Sequence, residues 1–309
     1  MTLAYAPGKV ILFGEHAVVY GRPAIAVPVT EVQAQACVEP GSAGNGTIIN
    51  APDLGRRVVL HDAADDDPLA HIVRLALEAI GGEQDPDLVI TVTSAIPVAR
   101  GMGSGAAVST AIVRALFQHF QYWLPSRGIS DLVYKAEVLY HGRPSGIDNT
   151  VVAFEKPIYF VKDEGWEVFW VGVPFLLAIA DTGIQSSTKE VVGDLRRRYQ
   201  CDAGKYDPLF DQIGAIAVAA RSTIEQGHIE KLGHLMDQNH RLLQQLSVSC
   251  PELDRLVVAA REGGALGAKL SGAGWGGNVI ALITEEIRER IGMVLRLAGA
   301  AQVIITEVR

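Results

Sequence analysis

The sequence predicts an α+β protein of two lobes, residues 1–173 and 174–309. Three observations carry that expectation. Val32, Ala34, Ala36 and Val38 alternate with polar neighbours, the period of a half-buried strand, whereas Ile72, Leu75, Ala76 and Ala79 recur at helical spacing. Strand and helix patterns interleave along the chain, but irregularly. The 32 glycines cluster, as they do when they serve particular loops.

In order, Leu3–Ala6 and Val10–Phe13 read as strands broken at Pro7-Gly8, and 31–39 as a further strand. Gly41–Gly46 is a turn cluster. The acids Asp65-Asp66-Asp67 before Pro68 mark a helix start, where the dipole favours negative charge. Leu88–Thr93, rich in β-branched residues, is the next strand. A glycine-rich loop at 100–105 leads into a long helix ending near Trp123. A second helix spans Ser130–Tyr140 with Ser130 as a plausible cap, and a loop covers His141–Asn149. Ile158–Val161 and 167–171 form a strand pair. The second lobe opens with a strand at Phe175–Ala180, followed by helices at Thr188–Tyr199, Pro208–Gln226, Ile229–Leu246 and Glu252–Glu262. Strand, glycine loop and strand then fill 268–283, before a helix at 285–297 and a last strand at 302–307.

The bulk composition removes several function classes. With 49% hydrophobic and 20% charged residues the chain is globular. A net charge of −8 argues against a nucleic-acid partner, because backbone phosphates call for a basic surface. The densest basic run, Arg196-Arg197-Arg198, follows Asp194 on an expected helix and reads as a solvated face. Cys37, Cys201 and Cys250 are distant and odd in number, which suits reduced thiols rather than a disulfide framework or a zinc site. There is no signal-peptide pattern and no apolar run of about 18 residues, so a cytoplasmic protein without a membrane span is expected.

The segment Pro97-Val98-Ala99-Arg100-Gly101-Met102-Gly103-Ser104-Gly105-Ala106-Ala107 carries the chemistry. Glycines let backbone approach an anion, and the first amides of the following helix point free N–H groups at the same place. Ser104 adds a hydroxyl for a phosphate or a metal. The run is not a Walker A loop, since no Gly-Lys-Ser/Thr follows, nor a full dinucleotide fingerprint. A purely structural turn entering a helix is the bland alternative.

Two further segments decide between these. One is Pro7-Gly8-Lys9-Val10-Ile11-Leu12-Phe13-Gly14-Glu15-His16-Ala17-Val18-Val19-Tyr20-Gly21; the other is Lys269-Leu270-Ser271-Gly272-Ala273-Gly274-Trp275-Gly276-Gly277-Asn278. With the loop at 97–107 they resemble, in order and over almost the whole chain, the three motifs of the galactokinase, homoserine kinase, mevalonate kinase and phosphomevalonate kinase (GHMP) superfamily. Gly14-Glu15-His16, together with Glu137 and the run Ser145-Gly146-Ile147-Asp148-Asn149, resembles its mevalonate kinases.

The resemblance implies a ribosomal-protein-S5-like first lobe that binds ATP and a ferredoxin-like second lobe. It implies ATP and mevalonate as substrates, Mg²⁺ as cofactor, and it admits a homodimer. Pro97, Arg100, Gly101, Met102, Gly103, Ser104, Gly105 and Ala106 would cradle the nucleotide. Asp148, on its glycine-containing loop, would accept the hydroxyl proton, and Lys9 would balance the charge of transfer. Glu137 and Ser104 would ligate Mg²⁺, which favours few protein oxygens beside phosphate oxygens. Glu15, His16 and Thr188 would lie at the acceptor.

Each residue has a plainer reading: Lys9 as a surface lysine after a turn, Asp148 as a turn cap, Glu137 as an exposed helix acid, His16 as a structural histidine, Thr188 as an N-cap. Relatives carry two serines where this chain has Ser104-Gly105, and Gly and Cys where Trp275 and Asn278 stand. A kinase of the same superfamily for phosphomevalonate or a sugar, or a non-catalytic nucleotide-binding relative, are the alternatives.

Overall fold

A computed structural model describes residues 1–97, 100–141 and 144–309, with the side chains of Tyr140 and His141 excepted. Its described residues fall into two compact units that interleave along the chain. The first holds Met1–Gly8, Val32–Pro97 and Gly103–Glu155; the second holds Lys9–Glu31, residues 100–102 and Lys156–Arg309.

In the first unit, β3 (Ile48–Ala51) lies between β4 (Arg56–Val59), antiparallel, and β5 (Leu88–Ser94), parallel. The far half of β2 (Ala24–Pro40) pairs antiparallel with β5 from Ala34 to Pro40. The buried members of that stretch are Ala34, Ala36 and Val38, as the alternation predicts. Among the described residues this unit holds the helices α1 (Pro68–Ile80), α2 (Ser104–His119), α3 (Ser126–His141) and α4 (Ile147–Phe154). Helix α1 starts where the acids predict: the Asp67 side chain accepts from the Leu69 and Ala70 amides, and Pro68 takes the first position. Its buried stripe is Leu69, Ile72, Val73, Ala76, Leu77 and Ile80; Leu75 and Ala79 lie off it.

The second unit contains the near half of β2, paired at Ala24–Ala26 with β6 (Ile158–Val161), which pairs in turn with β7 (Gly165–Val168). Its main body is β8 (Phe175–Asp181), helices α5 (Thr188–Cys201), α6 (Ala203–Glu225), α7 (Ile229–Gln245) and α8 (Pro251–Glu262), then β9 (Gly267–Ser271), β10 (Asn278–Ile283), α9 (Arg288–Leu297) and β11 (Gln302–Val308). The four strands form an antiparallel sheet ordered β11-β8-β10-β9. Strand, helices, two strands, helix and strand in that order make the ferredoxin-like pattern. Helices α7, α8 and α9 pack on these strands, and every residue of β9 and β10 is buried. No helix among the described residues is long and apolar enough to cross a membrane.

Three expectations are corrected. β1 (Thr2–Phe13) runs unbroken through Pro7-Gly8. Among the described residues its strand neighbour is β2, and a proline is tolerated where one side of the ladder is unpaired. Helix α3 begins a turn earlier than Ser130, at Ser126, and Ser130 is buried against α4, where Asn149 donates to both its carbonyl and its hydroxyl. The loop expected through Asn149 closes instead into α4, whose N-cap is Gly146 at φ 84°.

Trp275 sits at φ 54°, a left-handed conformation that an L side chain adopts at a cost. Its indole Nε1–H donates to the Ser247 carbonyl at 3.0 Å, and its amide donates to Val248. Trp275→Gly is therefore expected to be more stable than Trp275→Ala, by up to about 1 kcal/mol in urea unfolding. An alanine variant equal or superior to the glycine variant would remove the strain.

Candidate active site

In the first unit, β5 leads to the glycine-rich segment and α2 follows it. Pro97 is half-buried at the segment's start, and Val98 and Ala99 lie outside the described residues. Gly103 is the N-cap of α2 at φ 70°; having no side chain it caps none of the first amides, and Ser104 is the first helical residue. The N–H groups of Ser104, Gly105 and Ala106 thus begin the helix without a side-chain cap, which is the donor end that an anion meets. Ala106 is buried and Gly105 exposed.

Helices α2, α3 and α4 pack on one another in pairs. Glu137 is half-buried on α3. Asp148 is half-buried in the first turn of α4, behind the glycine cap. It stands on a helix rather than on a loop, which fixes its backbone more firmly than the sequence pattern suggests. Gly142 and Arg143, part of the expected loop, lie outside the described residues.

The second unit gathers the other residues. Lys9 is buried on β1, 5% exposed, and its amide donates to the Met102 carbonyl at 3.0 Å. A surface lysine after a turn is thereby excluded. Gly14, at φ 92°, begins the turn that carries Glu15 and His16; a Cβ there would stand 2.4 Å from the Pro23 carbonyl oxygen, so only glycine fits.

Glu15 does not face solvent. It is 2% exposed and forms an ion pair with Lys269, which is wholly buried on β9, and it accepts from Asn239 at 3.2 Å. Lys269 also donates to the Leu270 carbonyl at 2.8 Å. Burial pushes the Glu15 carboxyl up and the Lys269 ammonium down from their ordinary ranges, and their mutual attraction opposes both shifts.

His16 is buried at φ 61°, and its Nε2 lies 2.7 Å from the Ala273 carbonyl. A carbonyl only accepts, so Nε2 carries the proton and Nδ1 keeps its lone pair. Burial lowers its pKa to about 4, against the pull of the Ala273 bond and with a small contribution from Arg198. His240 is lowered to about 4 as well, also by burial. Both rings are therefore neutral in the folded protein between pH 4 and 6.5, where the unfolded chain binds protons. Their contribution to stability is present above pH 6.5 and falls as pH drops toward 4. In an NMR titration the rings of His16 and His240 are expected to keep unprotonated shifts at pH 5.5; ordinary titration of both would contradict this.

Thr188 is exposed and opens α5. The N-cap is its neighbour Ser187, whose hydroxyl accepts from the Glu190 amide, so Thr188 is not the cap. Arg100 turns its guanidinium to Asp181 at 3.3 Å. Among the described residues no group of three or more His, Cys, Asp or Glu could hold a metal by itself.

Family models match both parts of the chain: the GHMP kinases N terminal domain over residues 69–156 and the GHMP kinases C terminal over residues 220–298. The mevalonate kinase of Pyrococcus abyssi is 35% identical over 322 residues, covering 98% of this chain and 95% of that protein. The chain belongs to the mevalonate kinases of the GHMP kinase family. The crystal structure of L. major mevalonate kinase in complex with R-mevalonate resembles this GHMP kinase with a TM-score of 0.86 at 30% identity, over 100% of this chain and 96% of that one. The Methanococcus jannaschii mevalonate kinase is similar at TM-score 0.84 and 26% identity, over 99% and 96%.

Three side chains around the motifs escaped the sequence reading. Lys269 stands between Ala268 and Leu270 in a fully buried strand, an unusual place for a charge. Asn239 falls on the buried stripe of α7 between Met236 and Leu242. Both signals lay in the spacing. Asp181 carried none beyond ending an apolar strand.

Proposed function

We propose that this protein transfers the γ-phosphate of ATP to the 5-hydroxyl of mevalonate, giving 5-phosphomevalonate and ADP in the mevalonate route to isoprenoids. The observation that carries the reading is the near-full-length similarity to mevalonate kinases, one of them in complex with R-mevalonate. The reaction takes place in the cytoplasm. Residues 1–173 form the ATP-binding domain and residues 174–309 the second domain.

The hydroxyl oxygen attacks the γ-phosphorus, the bond to the bridging oxygen breaks, and ADP leaves. Asp148 takes the hydroxyl proton. Lys9, already buried, stabilises the negative charge that develops during transfer. The uncapped amides at the start of α2, with Pro97 and Arg100 to Met102 leading into them, hold the phosphates. The hydroxyl of Ser104 and the carboxylate of Glu137 are hard oxygen donors, few in number, and they fit a Mg²⁺ that leans mainly on phosphate oxygens. Bound there, the cation would neutralise phosphate charge. His16 offers the lone pair of Nδ1 to the acceptor, Glu15 braces the turn that carries His16, and Thr188 contacts acceptor or phosphate.

A coupled assay of ADP release across mevalonate, phosphomevalonate, homoserine and galactose tests the reading. Turnover with mevalonate above all others is expected; no turnover with mevalonate would sink it.

A further inference from the structure

Arg100 is held at two points by two residues that face each other across β8 and β10. Asn278 pairs with Asp181 in that antiparallel register, at one end of the four-stranded sheet. The Asp181 carboxylate receives the Arg100 guanidinium, and the Asn278 side-chain amide donates to the Arg100 carbonyl. Both are buried, Asp181 to 7% and Asn278 to 2% exposure. Each is itself fixed. Asp181 Oδ1 also accepts from the Gly183 amide at 2.8 Å, and its carbonyl accepts from Ala301. Two residues further on, the Met102 carbonyl is tied to the Lys9 amide. The segment 100–102 is thus fastened to β8 and β10 at one end and to β1 at the other.

We propose that Asp181 and Asn278 are positioning residues for the nucleotide loop, and that Arg100 serves as the loop's anchor rather than as a phosphate ligand. A guanidinium satisfied by a buried carboxylate gives up part of the charge a phosphate would need. A carbonyl held by a buried amide sets the direction in which the next backbone amides point. Because Met102 is bonded to Lys9, the same clamp sets the spacing between the loop and the buried lysine.

The proposal rests on the reading of 97–106 as the nucleotide loop, and the test separates the two. ATP affinity is measured by calorimetry with Mg²⁺ on the full chain, beside KM for ATP and for mevalonate. Asp181→Asn keeps an oxygen for Gly183 and frees Arg100. If Arg100 were a phosphate ligand, this variant would bind ATP as well as the parent or better. The clamp predicts weaker ATP binding, about tenfold, the weight of one hydrogen bond to a charged group, with KM for mevalonate unchanged. Arg100→Ala is expected to weaken ATP equally, the double variant no more than either single, and Arg100→Lys to recover part of the loss. Unchanged ATP affinity in Asp181→Asn, or additive losses in the double variant, overturns the clamp. Gly103→Val serves as the control: a loss of ATP binding there, with the clamp variants intact, leaves the loop reading standing and the clamp wrong. No loss in Gly103→Val removes the loop reading itself.

Discussion

Asp148→Asn is expected to lower kcat about 10²- to 10⁴-fold, the usual contribution of a positioned general base, while ATP binding stays at its parent value. Asparagine has nearly the shape of aspartate, and the residue is half-buried in the first turn of α4. The helix start is set by Gly146, not by the Asp148 side chain, so the fold around the site should survive. What is lost is the ability to take up a proton. The hydroxyl of the acceptor is a poor nucleophile until its proton has somewhere to go, so the deficit falls on the chemical step. Steady-state kinetics with saturating ATP and mevalonate, beside calorimetric ATP binding, provide the measurement. A kcat within a factor of a few of the parent takes Asp148 out of the mechanism.

The second large effect concerns stability. Lys269→Met is expected to cost about 3–5 kcal/mol of folding free energy, the range for breaking a buried ion pair from one side. The variant leaves Glu15 without its cation in a site where, among the described residues, Asn239 is its remaining side-chain donor. Removing both charges is a different experiment. Glu15→Leu with Lys269→Met leaves no uncompensated charge, so the double variant should recover much of the single variant's loss. Urea unfolding of parent, single and double variants checks this. A single variant that loses less than about 1 kcal/mol would put the pair in a solvated setting, contrary to its burial.

The two effects read out different things. Asp148 lies in the first unit and is assessed by rate; Lys269 lies in the core of the second and is assessed by stability. Loss of the ion pair should also loosen the turn at Gly14–His16, and thereby the bond from His16 to Ala273.

Much of this was legible in the sequence because it rested on local rules. The acids before Pro68, the β-branched run at 88–93 and the alternation through Val38 each act over a few residues, and the chain obeyed them. The order of the three glycine-rich motifs gave the family, and the comparisons agree. What escaped has physical causes. β3 and β4 are four residues each, too short for a period to emerge, and exist through pairing with each other and of β3 with β5. The continuity of β1 through Pro7-Gly8 depends on its having, among the described residues, one strand neighbour, which no local pattern announces. Helix α4 hides behind Gly146, which reads as a loop residue until its left-handed conformation is seen to cap a helix. The partners of Glu15 and Arg100 lie far along the chain, at Lys269 and at Asp181 and Asn278. Long-range pairing of charges leaves no periodicity.

The interleaving of the two units bears on how this gene can be handled. Glu15 and Arg100 sit in the first third of the sequence, yet their partners Lys269 and Asp181 arrive only after residue 180. A ribosome emitting the chain from its N-terminus must therefore release these charges unmatched, and they find their counterparts only once β8, β9 and β10 have emerged. Split genes, domain transplants and truncations made by cutting the coding sequence in the middle would strand the buried Lys269 in one product and Glu15 in the other.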